Sequence, residues 1–372
     1  MKIETFEMER MQSLWENVVD YNLSESGVHP LTLTELLTPD EEQQLRQLEL
    51  GYTQTNGTLP LRENISRLYG GVNPEQVMVS AGSSEANFLL MWSLIEPGQE
   101  VIFELPNYMQ MWGLARAFGA EVKPLWLREE LKWQPDPDEL KKLITSRTRL
   151  IILTNPNNPT GSILSEEIRK EIIKLAAQAG AWLQVDEVYR GAERDGRETP
   201  SFWGEYEKVI VVGGLSKAYG LPGLRLGWLV APEDLVKKVW TYHDYTTISV
   251  SAMTDFLGTL ALQPERRIKL LSRTRSILRE NLPVLEEWLK SFGSLFHYHP
   301  PQAGAILFAG YDLSVEALEL VETVRREKSV LLVPGEHFQV RKHLRFGYGA
   351  RPEYIKAALE RVSEVLHRLL GR

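Results

Sequence analysis

Short runs rich in β-branched and apolar residues alternate along this chain with segments of helical period, and that alternation restricts its possible folds more than any other feature. The runs are VMVS (77–80), EVIFEL (100–105), EVKPLWL (121–127), RLIILT (149–154), AWLQVD (181–186), KVIVVGGL (208–215) and GLRLGWLV (223–230). Between most of them lie stretches such as EANFLLMWSLI, MQMWGLARAF and EEIRKEIIKLAAQAG, the last ending on Gly180 as a helix stop. Strands that are almost wholly apolar must be covered on both faces, so the intervening helices have to flank a mostly parallel sheet. The expectation is an α/β fold with a seven-stranded, mostly parallel sheet in a large domain over residues 46–262.

Residues 263–372 read differently. PERRIKLLSRTRSILRENLPVLEEWLKSF is a long amphipathic helical stretch that Pro283 should kink or divide. Shorter strands follow in GAILFAG, VLLVPG and HLRFGYG, with helices expected over 313–327 and 352–369. This predicts a smaller α+β domain, joined by part of an N-terminal arm, residues 1–45. Near the end of the arm, Thr38, Pro39 and Glu41 have the spacing of a capping box and start a helix.

Composition then narrows what such a scaffold can act on. A formal charge of -8 argues against general affinity for nucleic acid or anionic lipid, while a local basic pocket for a phosphate is compatible with it. The chain has no Cys, which excludes disulfides, thiolate nucleophiles and Cys-ligated zinc and permits a reducing compartment. The first residues mix acids into their apolar positions, and no run approaches a membrane span, so a soluble cytoplasmic protein is expected.

Ligands of such sheets gather where parallel strands end, and four of those loops are chemically unusual. SAGSSEA (80–86) passes at once from strand to helix, so backbone N–H groups with the Ser83 and Ser84 hydroxyls can form an anion cup, or simply an N-cap. It lacks both the Walker lysine and the dinucleotide glycine spacing. TNPNNPTG (154–161) is turn chemistry, with Asn158 able to donate to a phenolic oxygen. In VDEVY (185–189), Asp186 closes a buried strand and needs a cation, either a structural partner or a protonated heterocyclic nitrogen. SKAYGLPGLRLGW (216–228) carries Lys217 and Arg225 among apolar residues. Burial there disfavours the charged lysine and yields the neutral amine that condenses with a carbonyl, while Arg225 completes a phosphate site.

The order of YTQTNG (52–57), SAGSSEA, NPNNPTG, DEVY, GGLSK (213–217), GLRLGW and RFGYG (345–349) resembles the fold type I aminotransferases that use pyridoxal 5′-phosphate (PLP), over roughly residues 20–370. SESGVHPLT (24–32) and YHDYTTISVS (242–251) are also similar to the capreomycidine synthase branch, in which a PLP enzyme cyclises a hydroxylated arginine. The resemblance implies a ping-pong transfer from an L-amino acid to a 2-oxo acid through a Lys217 aldimine, with a cyclase or lyase as the alternative. It implies that Asp186 pairs with the pyridinium nitrogen, that Asn158 and Tyr189 hold the ring oxygen, and that Tyr108 stacks on the ring. Ser83, Ser84, Ser216 and Arg225 would bind the phosphate, Tyr52 would reach the phosphate of the neighbouring subunit in a homodimer, and Arg345 would clamp the substrate α-carboxylate. In the arm, Gly27 would offer a backbone contact to that carboxylate and His29 would touch the substrate side chain. A non-catalytic PLP-binding sensor would need a helix-turn-helix module ahead of the fold, for which the arm is too short.

Other features have plainer readings. His297 and His299 lie on one face of a possible strand, but no third ligand is near in sequence, so no metal is expected. ERRIKLLSRTRSILRE reads as a solvated helix face rather than a nucleic-acid patch.

Overall fold

The computed structural model describes residues 2–371. Its strands in chain order are β1 Tyr21–Asn22, β2 Val77–Ser80, β3 Glu100–Leu105, β4 Glu121–Arg128, β5 Gln134–Pro135, β6 Thr148–Thr154, β7 Trp182–Asp186, β8 Val209–Gly214, β9 Gly227–Val230, β10 Phe296–Tyr298, β11 Ile306–Tyr311, β12 Val330–Leu331, β13 Val333–Pro334 and β14 His343–Gly347. The large sheet has the order β2-β9-β8-β7-β6-β3-β4-β5. The contacts β8–β7–β6–β3–β4 are parallel, while β9 runs antiparallel to both β2 and β8. The sheet therefore has eight strands rather than the expected seven, because the two-residue β5 folds back on the end of β4. Too short to show an apolar pattern, β5 leaves no periodic trace in the sequence.

Successive residues of each central strand enter opposite cores, as strand geometry requires. Val77, Val79, Ile102, Ile151, Leu153, Val209 and Val211 pack into one hydrophobic core, and Met78, Val101, Phe103, Leu150, Ile152, Ile210 and Val212 into another. Each such fully buried side chain contributes about 1.5–3 kcal/mol. Helices cap as their residues predict. Thr38 and Glu41 form the capping box of Pro39–Arg46, and Glu166–Ala179 stops on Gly180 at φ +63°.

A four-stranded sheet, β10-β11-β14-β13, forms the second layer, and β1 of the arm pairs in parallel with β12. The boundary expected after residue 262 falls between the helices Ala252–Ala261 and Pro264–Ser291. The division into 1–45, 46–262 and 263–372 stays a proposal that these positions support. Pro283 does not divide its helix, which runs unbroken over Pro264–Ser291. The ring lies on the exposed face, so the carbonyl it leaves unpaired, on Arg279, faces water, while Leu278, Leu282, Leu285 and Leu289 stay buried. The basic residues of that helix are not simply solvated: Arg266 pairs with Glu41, Arg267 with Glu198, and Arg275 with Glu193.

The topology decides what meets at one edge. β2, β6, β7 and β8 end there, and β9, being antiparallel, begins there. Ser80, Gly227 and Gly214 sit side by side in register, which brings the loop after β2, the Lys217 loop and Arg225 together. The strand expected from residue 223 starts only at Gly227, because 223–226 forms a turn with Arg225 at φ +49°. A side chain at Gly227 would put its Cβ 2.2 Å from the Ser83 backbone nitrogen, so only glycine allows this approach.

Candidate active site

A cavity of about 340 Å³ opens at that edge, lined by Ser83, Ser84, Tyr108, Asn158, Asp186, Tyr189, Ser216, Lys217 and Arg225 among others. Nine side chains named from sequence thus converge on one space from loops up to 142 positions apart, counting from Ser83 to Arg225. At one end, Ser83 and Ser84 open the twelve-residue helix Ser83–Leu94, directing its free N–H groups and the positive end of its dipole inward. Gly82 precedes it at φ +80°, and a Cβ there would lie 2.6 Å from Arg225 Nη2, so the guanidinium rests against the turn. Arg225 Nη1 reaches Ser216 Oγ at 3.4 Å. Three hydroxyls, a helix terminus and a guanidinium make this end suited to a phosphate.

Asp186 stands at the end of β7, 5 % exposed, and among the described residues its carboxylate takes a hydrogen bond only from the Val188 N–H, at 3.0 Å. Burial pushes its carboxyl up to about 7, against the opposing pull of that N–H and of Lys217. A buried acid so far from its ordinary range lacks a contact cation.

Lys217 does not match the expectation of a neutral amine. Its Nζ lies 2.9 Å from Glu25 Oε1, and although burial opposes its charge, Glu25 and Tyr189 push its pKa above the ordinary lysine value. Glu25 feels the reverse: burial works against its charge, yet Lys217 and the Gly27 N–H hold it down at about 2. The local apolar text around position 217 could not reveal this partner, which sits 192 residues away.

Arg345 also departs from expectation, because it lies behind the cavity wall rather than on it. Only 1 % exposed, it donates from Nη1 to Asn158 Oδ1 at 2.8 Å and from Nη2 to the Ser24 carbonyl at 2.5 Å. Met8 Sδ lies 3.6 Å from Nη1, the guanidinium carbon lies 5.3 Å from the centre of the Phe338 ring, and Nε has no partner among the described residues. All its hydrogen-bond partners among the described residues are neutral, and none of these residues sets a carboxylate against the buried guanidinium. With its oxygen committed to Arg345, Asn158 has its amide N–H groups left to offer. Tyr189 is buried, and burial raises its phenol pKa against the pull of Lys217 and Arg345.

Three predicted residues lie elsewhere. Tyr52 is 86 % exposed and outside the cavity lining. His29 faces away from the cavity, its Nδ1 2.8 Å from Arg273 Nη2, and the Gly27 N–H donates to Glu25 at 2.7 Å. Both line a neighbouring depression that shares Glu16, Glu25 and Pro222 with the cavity. The arm turns there because β1 is anchored on β12, which carries Gly27 and His29 past the mouth.

Sequence reading missed the lid. The helix Glu7–Trp15 and its cap lay Met8, Glu9, Gln12 and Glu16 against the cavity. Glu9 Oε1 accepts from the Tyr108 hydroxyl at 2.9 Å, and Phe6 meets the Tyr108 ring edge-on at 4.8 Å. Burial, then Glu25 and Glu9, raise the Glu16 carboxyl. The signal was available: positions 9, 12 and 16 are spaced three and four apart, which puts one polar stripe on one helix face.

The model of the family described as aminotransferase class I and II matches residues 21–362. Capreomycidine synthase of Streptomyces vinaceus is 32% identical over 350 residues, 93% of this chain and 89% of that protein. Among solved structures, a PLP-dependent aminotransferase from Streptococcus suis superposes with a TM-score of 0.93 at 34% identity, covering 99% of both chains. The PLP-dependent cyclase OrfR superposes with a TM-score of 0.90 at 26% identity, covering 99% of this chain and 98% of that one.

Proposed function

The chain belongs to the aminotransferase class I and II family of PLP-dependent enzymes, and on that premise we propose that it moves an amino group from an L-amino acid to a 2-oxo acid. The observation that carries this reading is a buried acid, Asp186 lining the cavity, and a buried guanidinium, Arg345 behind its wall, each without a contacting counter-ion among the described residues. An acid at one position calls for a cationic ring nitrogen, and a guanidinium at the other calls for a carboxylate.

PLP, when bound, supplies an aldehyde that condenses with amines and a ring that withdraws electrons while its nitrogen stays protonated. Ser83, Ser84, Ser216 and Arg225 would hold its phosphate, and Tyr108 its ring face. Asp186 would hold the proton at the ring nitrogen, and Asn158 with Tyr189 would donate to the ring oxygen. Arg345 would exchange its neutral contacts for the substrate carboxylate and so fix which bond at the α-carbon is labile. Lys217 Nζ would carry the α-proton, Glu25 releasing it as the site fills. Exposed Tyr52 fits a contact made across a homodimer interface, and we place the enzyme in the cytoplasm, a reducing compartment that a chain without Cys permits. No helix among the described residues is long and apolar enough to cross a membrane.

A second reading, cyclisation or elimination on an arginine-derived amino acid, is favoured by the lid: Glu9 and Glu16 put acids where the substrate side chain would lie. Under either reading, the lid acids Glu9 and Glu16 favour a basic substrate side chain. Mixing the PLP form with single amino acids tests them together: conversion to pyridoxamine phosphate supports transamination, and release of water, ammonia or a ring product supports the second reading. Glu16→Gln should lower kcat/KM for arginine-like substrates by about 10–100-fold and leave neutral amino acids nearly unchanged. Equal losses for both would contradict the basic-substrate assignment.

A further inference from the structure

His297, Gly310 and His343 lie side by side on β10, β11 and β14, since Gly310 is the register partner of both histidines. Two strand spacings separate the histidine backbones by about 9.6 Å. Their rings nevertheless converge over the glycine, with centroids 5.7 Å apart at 85°. A side chain at 310 would put its Cβ 2.1 Å from His297 Nε2, so the glycine makes this convergence possible. Into the same space comes Glu129, which directly follows β4 of the large sheet. Its Oε2 lies 3.3 Å from His343 Nε2 and 3.6 Å from His297 Nε2. The third ligand that the sequence could not nominate is therefore supplied by another layer of the fold.

We propose that Glu129, His297 and His343 form a site for one divalent transition metal of the zinc class, tying the four-stranded sheet to the edge of the large one. Ligands about 2.1 Å from a tetrahedral ion lie about 3.4 Å from each other, which matches the two Glu129–histidine distances, and all three donors lie within 4.8 Å of one another. The surroundings have the order of a metal shell. His343 Nδ1 is 2.9 Å from the Arg341 carbonyl, to which it donates, so that a neutral ring turns its Nε2 lone pair toward the carboxylate. Two lone pairs facing each other at 3.3 Å need a proton or a cation between them. His343 is further fixed by stacking on Phe308 at 4.8 Å, and His299 Nε2 sits 2.9 Å from the Glu129 carbonyl, holding its loop. Two imidazoles and one carboxylate suit zinc, nickel or cobalt, and a half-exposed His297 leaves a fourth position to water. The bond reaches toward function as well, because His343 and Arg345 share one face of β14.

The test is calorimetric titration of ZnCl₂ into tag-free, PLP-loaded enzyme stripped with chelator, in a non-coordinating buffer. One ion per chain is expected, with a rise in melting temperature, and CoCl₂ should give the visible bands of a four-coordinate ion. His297→Ala, which alters an exposed side chain, and Glu129→Gln should each weaken binding at least about tenfold without changing the circular dichroism. Absence of one-per-chain binding, or binding unchanged in both variants, overturns the proposal.

Discussion

Lys217→Ala lowers transamination by at least about 10²–10⁴-fold, since it removes both the amine that condenses with the cofactor aldehyde and the base that carries the α-proton. The fold survives the change. Lys217 ends in a solvent-reached cavity, and once it is gone its ion-pair partner Glu25 still accepts from the Ser26 and Gly27 N–H groups. The variant should bind PLP only through the phosphate, ring and Asp186 contacts, and its visible spectrum should revert to that of free PLP. Absorbance and single-turnover assays on the purified variant check this, with circular dichroism as the control. A second reading comes from Glu25, whose carboxyl is held at about 2 chiefly by Lys217 against burial, and which should titrate higher once the lysine is gone.

Asp186→Asn is expected to separate activity from stability. Activity should fall by about 10²-fold or more, because an amide cannot balance a protonated ring nitrogen. The cofactor-free protein should become more stable at neutral and higher pH. Burial raises the Asp186 carboxyl from its ordinary 3.8 to about 7, so between those values the folded chain keeps a proton that the unfolded chain has lost. Its contribution to stability is therefore complete below the lower value and is lost as pH rises through the upper one. The asparagine variant should show a flatter decline over that window. Some slope should remain, since burial also raises Glu187 to about 7 and Glu104 to about 8. Adding PLP should stabilise the native protein more than the variant. Urea titrations at several pH values, with and without PLP, provide the check, and identical slopes for the two proteins would show that Asp186 is not the buried acid described.

Much of this site was legible because its residues sit where apolar strands stop. A strand such as RLIIL or AWLQV can be read by pattern, and the polar residue that ends it must then be explained. Asn158, Asp186 and Lys217 were found that way. What stayed hidden depends on contacts between distant segments. Glu25 reverses the charge preference of Lys217 across 192 positions, Arg345 finds Asn158 across 187, and Glu129 meets His343 across 214. Pattern in a local window carries none of these. The lid helix was missed for another reason: Glu9 and Glu16 look like ordinary solvated acids until the fold places that face over a cavity. Pro283 misled because a breaker's effect depends on whether its face is wet, which is set by packing rather than by the residue.

The central claim is the covalent chemistry of one nitrogen, and borohydride reduction of PLP-saturated enzyme followed by peptide mass spectrometry tests it most directly. The account predicts a single reduced pyridoxyl adduct per chain, on Nζ of the lysine in GGLSKAYG. An unmodified Lys217 with the label on another lysine, or no label at all, would contradict it.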